Sequence, residues 1–288
     1  MKEKATPFFF LSLPFLFFTV FSLYPIIWSF RLSFFKWEII TEEFVGLDNY
    51  AAVIKDPYFW KAFENTLIYV ATTVAGQVIL GLLFAGLLSK ITKGRNFFST
   101  AIYIPVITSW AIVAVVWKMM LAPDNYAFFN SVLLQTNIIN TPIPWLATPL
   151  TARLSIIAFC IWKGVGWAMV IFLAALQTIP KRFYEMAKID GDGVLGRFRH
   201  VTFPLISPVI GMVSALLSIG AFNIFPQVYV LTKGGPLGST ESLLTLQYKE
   251  AFSFLHFGYA CAMGYFLVPI ILFISILQIK AISKRVEY

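Results

Sequence analysis

Six long, mostly apolar runs constrain this chain more than any other feature, because each can cross about 30 Å of hydrocarbon. They occupy residues 5–30, 66–88, 96–117, 154–178, 201–232 and 257–279, and only the fourth carries a charge, Lys163. In lipid no water is available to satisfy backbone N–H and C=O groups, so a span must be a helix or belong to a closed barrel. Runs of this length read as helices. The expectation is an all-α membrane protein with six transmembrane helices. Only 12% of the residues are charged and 59% are hydrophobic, whereas a soluble domain carries about 25% charged residues.

Six spans place the connecting segments alternately on two sides. Thirteen Lys and Arg residues fall on the side of both termini, eight on the other, and nine of the fourteen acids share that second side. The positive-inside rule then puts both termini and the long loop after the fourth span in the cytoplasm. The net charge of +8 is explained by this topology, and nothing points to nucleic acid. The first run has no small-residue cleavage site and reads as a retained span, kinked near its ends by Pro14 and Pro25. Cys160 and Cys261 both fall within spans and read as buried thiols.

The long polar insert, residues 179–208, is where a partner is expected. Pro180 suits the first turn of a helix, and about ten residues then follow a helical pattern. Gly191 can end that helix in a left-handed conformation and Asp192 can cap a second one. A helical pattern restarts over residues 194–201 and meets Pro204 as a breaker. A helix this short is marginal alone and must dock on something.

The spacing in this insert is Glu185-Met186-Ala187, three residues, Gly191, nine residues, Val201, one residue, Phe203-Pro204. It resembles the EAA loop of the membrane subunits of ATP-binding-cassette (ABC) importers, with Met186, Val201 and Phe203 as apolar replacements for Ala, Ile and Leu. The resemblance implies the type I importer permease fold. It implies that Glu185, Met186, Ala187, Asp190 and Gly191 form a coupling helix seated in a groove of an ATPase subunit. It further implies a second, related permease subunit, two ATPase subunits carrying ATP and magnesium, and an extracytoplasmic solute-binding protein. No cofactor is expected in this subunit. The segments 44–66 and 231–252 are similar to those of the first permease of carbohydrate importers, and the likeness extends over almost the whole chain.

Division of the chain follows from this reading. Residues 1–65 hold the first span and an outer amphipathic segment with aromatic residues at headgroup level, 66–282 the permease core, and 283–288 a tail. Within the second span, Ala71 with Ala75 and Gly81 with Ala85 are small-residue pairs that would let another helix come close. The third span contains Pro105 midway, and the outer loop after it contains Asn130 and Trp145.

Lys163 sits in the sequence Trp162-Lys163-Gly164-Val165-Gly166-Trp167. A Lys near the bilayer midplane is costly unless it faces protein or water. One reading makes it a donor lining a translocation cavity between two aromatic platforms; the other is a structural Lys paired with backbone carbonyls. By the resemblance, Cys160, Lys163, Gly164, Trp167, Leu217 and Ala221 match positions that line the sugar site of the maltose-transporting family member. Two of those positions are Asn in that relative, and Asn223 is a nearby polar replacement. No catalytic constellation and no nucleotide-binding motif is present, so the chain reads as a transport subunit and not an enzyme. The expected function is half of the pathway of an ATP-driven importer for a di- or oligosaccharide in the bacterial cytoplasmic membrane. A glycerol-3-phosphate or polyol permease is the alternative, since Lys163 could meet a phosphate, and a stand-alone secondary transporter is the second. Ion-coupled carriers usually hold Asp, Glu or His inside the membrane, and this chain has none at mid-span.

Overall fold

A computed structural model describes residues 11–37 and 42–283. The chain divides into two compact units, one of residues 1–60 with 246–270 and one of 61–245 with 271–288. The tail beyond 283 and the first ten residues lie outside the described residues.

The first unit begins with helix α1, Leu11–Leu32. Between Pro14 and Pro25 this helix loosens into a π turn at Thr19–Leu23, in its middle and not near its ends. Proline withholds an N–H from the helical ladder, and a wider turn nearby absorbs the mismatch. Strands β1 (Phe35–Trp37) and β2 (Glu42–Phe44) then pair antiparallel with Phe35 opposite Phe44, a small departure from an all-helical chain. Helix α2, Asp48–Lys55, follows. Its Asn49 donates to the carbonyls of Ser33 and Phe35 at 2.9 Å each, and Tyr50 and Ser33 share a hydroxyl contact of 2.7 Å. Asp56, just past α2, accepts from Tyr259 at 2.7 Å.

The second unit holds most of helix α3 (Pro57–Lys90), then α4 (Arg95–Ile107), α5 (Trp110–Met120), α6 (Phe128–Gln135) and α7 (Pro149–Thr178). Helices α8 (Lys181–Ile189), α9 (Val194–Phe222) and α10 (Pro226–Leu231) complete it. Helices α11 (Leu243–Phe252) and α12 (Phe257–Ser283) are shared between the units. Five helices, α1, α3, α7, α9 and α12, are long and apolar enough to cross a membrane. The third expected span differs: it is the bent pair α4 and α5, turned by 99° at Thr108 and Ser109. Counted as one span, the pair makes six.

Two expectations for the polar loop and fifth run need correction. Pro204 does not break the second helix, which runs unbroken from Val194 to Phe222. A π turn at Phe198–Thr202 lies directly before it, with the Phe203 N–H bonded to the Phe198 carbonyl. That wider turn accommodates both the pyrrolidine ring and the missing donor. The run 201–232 is also interrupted, since the chain leaves the helix at Asn223 and restarts as α10.

The core of this unit is where α7 meets α3 and α9. Ala168, Met169 and Phe172 of α7 pack with Ala85 and Leu88 of α3 and with Ile206, Ile210 and Val213 of α9. The Gly81 and Ala85 pair does mark this close approach, whereas Ala71 and Ala75 lie on an exposed face. A Cβ added at Gly81 would stand 2.8 Å from the Ala168 Cβ and 3.1 Å from the Met169 backbone nitrogen. A second cluster joins Tyr69, Phe159 and Cys160 with Ala114, Ile224 and Val228.

Gly81→Leu is therefore expected to overpack the α3 and α7 contact at a cost of about 1–3 kcal/mol. The check is the melting temperature and monodisperse yield of the detergent-purified protein, with exposed Ala75→Leu as the control that changes neither.

Candidate functional site

Two arrangements bear on function, the polar loop and the middle of α7. In the loop, Pro180 takes an extended conformation as the residue before α8 and not as its first turn. Helix α8 ends in a Schellman motif: the Asp192 N–H bonds the Ala187 carbonyl at 2.9 Å and the Gly191 N–H bonds Lys188 at 3.2 Å. Gly191 supplies the left-handed residue that this ending requires, at φ +86°. The capping expected of Asp192 is not what its side chain does. No side-chain cap starts the next helix, and the Asp192 carboxylate instead meets His200 Nδ1 at 2.9 Å.

The loop helix is held by one face only. Ala187 is buried, and the Tyr184 hydroxyl meets the Thr202 hydroxyl in the π turn at 3.1 Å. Glu185, Asp190 and Gly191 are exposed, and Met186 and Ile189 stand out at 59% and 85% exposure. Beyond the turn, Val194 and Leu195 are exposed as well. Apolar side chains gathered on the outer face of a charged loop mark a surface that another protein can cover.

Lys163 lies on α7 with 1% of its surface exposed. Its ammonium donates to the carbonyls of Pro105 at 2.8 Å, Val106 at 3.3 Å and Thr108 at 2.8 Å. These carbonyls belong to the end of α4, where the helix leaves its last C=O groups without intrahelical partners. Nζ also stands 4.3 Å from the centroid of the Trp110 ring at the start of α5. An ammonium has three donors, and all three point to backbone. The carbonyl-paired alternative is thus the arrangement present, and Lys163 offers no free donor to a ligand here.

The other residues expected along a pathway do not gather around one cavity. Cys160 is buried among Tyr69, Ile156 and Val228. Trp162 is half-exposed and tilts against Trp117 at 5.4 Å. Gly164 admits Gln77, whose amide would lie 2.6 Å from an added Cβ and donates to the Cys160 carbonyl at 3.0 Å. Trp167 and Leu217 pack on the same core cluster, Ala221 packs near Val70 and Val74, and exposed Asn223 returns its amide to the Ile219 carbonyl at 2.9 Å.

Several organising residues were missed by sequence reasoning. Gln77 is a buried amide in a transmembrane helix, and its polarity alone could have flagged it. Asn130 gathers the loop between α5 and α7, donating to Ala122 and Ile143 carbonyls at 3.2 and 3.1 Å and accepting from Trp145 at 2.9 Å. The loop after α10 is fixed by Asn65, which donates to the carbonyls of Gly238 and Glu241 at 3.1 and 3.0 Å, and by Arg153, which donates to Ser239 at 3.0 Å. The Gln77, Asn65 and Arg153 contacts join residues more than eighty positions apart, so no local pattern announces them.

Comparison with known proteins places this geometry. Residues 77–288 match the family described as "Binding-protein-dependent transport system inner membrane component". The chain is 35% identical over 271 residues to a lactose transport system permease protein of Rhizobium radiobacter, covering 93% of this chain and 90% of that protein. It is 34% identical over 281 residues to an arabinooligosaccharides transport system permease protein of Bacillus subtilis, covering 97% and 89%. Its fold matches a chain in the crystal structure of a bacterial ABC transporter involved in the import of alginate, at a TM-score of 0.85, with 22% identity, 99% of this chain and 98% of that chain covered.

Replacing Lys163 by Met should remove the side-chain donor to the Val106 and Thr108 carbonyls, while Pro105 keeps the Thr108 hydroxyl at 2.7 Å, and lower stability by about 1.5–3 kcal/mol. Thermal unfolding in detergent checks this, with Trp162→Ala expected to cost less because its ring is half-exposed.

Proposed function

This chain belongs to the family of binding-protein-dependent transport system inner membrane components, and we propose that it forms one permease half of an ATP-driven importer for a di- or oligosaccharide. As a transport protein and not an enzyme, it leaves ATP and magnesium to partner ATPase subunits. Both termini and the loop of α8 face the cytoplasm in this reading. A related permease completes the pathway, and an extracytoplasmic binding protein delivers the sugar from the other side.

The single observation that carries the reading is the state of α8: seated by Tyr184 and Ala187, closed by Gly191, and open on the face of Glu185, Met186 and Ile189. A helix gripped from one side and open on the other, with Met186 and Ile189 exposed among charges, is suited to transmit a rigid-body movement. When the ATPase pair closes, its groove moves α8, and α8 moves the start of α9 through the Tyr184 and Thr202 contact. Helices α7 and α9 share the core, so the displacement reaches Trp167, Leu217 and Ala221. With Asn223, these are our candidates for the pathway wall. Sugar is favoured over a glycerol phosphate because relatives carry lactose and arabinooligosaccharide names. The engaged Lys163 ammonium also gives a phosphate no counter-charge there.

Purification in mild detergent should recover an ABC ATPase and a second permease with this chain, and the reconstituted assembly should take up oligosaccharide only with ATP and the binding protein. Uptake by this chain alone under a proton gradient would replace the proposal with a secondary transporter.

Gly191→Val should lower ATP-driven uptake at least about tenfold while membrane insertion stays normal. No atom lies within 4 Å of the added Cβ, so the whole effect comes from a branched residue at positive φ, which costs about 1–3 kcal/mol. Wild-type uptake by this variant would remove the coupling role.

A further inference from the structure

Behind α8, within the second unit, lies a cavity of about 960 Å³. Its walls are apolar: Val78 and Leu82 of α3, Leu176 of α7, and Phe203 and Ile210 of α9. At the end nearest the polar loop it is lined by Lys90, the last residue of α3, by Lys181, the first of α8, and by Arg197. No carboxylate lines it. Among the described residues, Lys90 and Lys181 have no acidic partner, and Arg197 engages only its Nε, with the Gly193 carbonyl at 3.4 Å. Ser89 and Tyr184 line the cavity as well, their hydroxyls engaged with the Gly86 carbonyl and the Thr202 hydroxyl. From Val78 to Lys90 the α3 wall rises about 18 Å.

We propose that this cavity holds an anionic phospholipid, its phosphate among Lys90, Lys181 and Arg197 and an acyl chain along the apolar wall. Each part of the lining argues for that chemistry. A sugar would lose its hydrogen bonds against walls that offer almost none in return. Inorganic phosphate would use the three cations and leave the deep apolar surface empty. A neutral lipid would fill the depth and leave the cations without a counter-charge. An amphiphile with an anionic head satisfies both ends, and cationic side chains beside a membrane surface do attract such headgroups. The consequence is mechanical: the lipid touches Tyr184, Thr202 and Phe203 at once, so it braces the base of the loop helix against the membrane helices. The inference concerns lipid binding and stands whether or not the transport reading holds.

The test uses the full chain, in whatever assembly it purifies with, in nanodiscs doped with phosphatidylglycerol bearing a photoreactive group in its acyl chain. Crosslinks should map to residues 78–90 and 203–210. Excess unlabelled phosphatidylglycerol should compete and phosphatidylcholine should not, and the combined change Lys90→Ala, Lys181→Ala and Arg197→Ala should lower labelling at least about tenfold. Leu82→Trp, which fills the cavity and keeps every cation, should also abolish it, with size-exclusion profiles confirming that both variants fold. Labelling that ignores headgroup and variant would reduce the cavity to ordinary lipid contact and overturn the proposal. Competition by millimolar inorganic phosphate would assign the cations to a free anion, and crosslinking of the cavity residues to a partner protein would assign the space to protein; either outcome overturns it as well.

Discussion

One buried ammonium, that of Lys163, sets the geometry of the middle of this protein. A cation removed from water is tolerated only where every donor has a partner, and here the partners are carbonyls of an interrupted helix. The two liabilities cancel. The end of α4 presents C=O groups with no intrahelical donor and the negative end of a helix dipole, and Lys163 supplies donors and opposite charge together. The Trp110 ring closes the remaining side. Without that clamp a bend of 99° in the third span would leave bare backbone in a layer that cannot hydrate it.

The bend in turn determines what surrounds it. Helix α4 packs along α7, while α5 turns away to pack against α10, so two different stretches of the chain are brought beside α7 by one break. Gly166 lets the α4 backbone come close, since an added Cβ there would meet Tyr103 at 3.0 Å. Trp117 then packs on both Phe159 and Trp162. The aromatic residues around Lys163 therefore serve the packing of the broken span, and the polar contacts of Asn65, Asn130 and Arg153 fix the loops after α5 and α10.

At the opposite end the constraint is different. The π turn before Pro204 keeps α9 continuous from the polar loop into the apolar span, and α8 joins it through the Gly191 turn and the Tyr184 and Thr202 contact. The outer face of α8 exposes Met186 and Ile189 among charged residues in the single chain. Behind it the cavity rimmed by Lys90, Lys181 and Arg197 separates this helix from α3. The exposed Met186 and Ile189 and the cavity thus lie on different sides of the same short helix.

What was determined by the sequence alone is what depends on local rules. Apolar length against bilayer thickness marked the long helices α1, α3, α7 and α12, and a glycine free to take positive φ set the end of α8. Other features needed tertiary structure because they pair distant residues. Pro105 announced trouble in the third span, but only the approach of Lys163, nearly sixty positions later, made a sharp bend affordable. Pro204 read as a breaker because the π turn that accommodates it is a property of backbone geometry and not of composition. Small residues at Ala71 and Ala75 looked the same as those at Gly81 and Ala85, yet only the second pair faces α7. Spacing along a helix says which residues share a face; which face is covered is decided by the neighbour that arrives there.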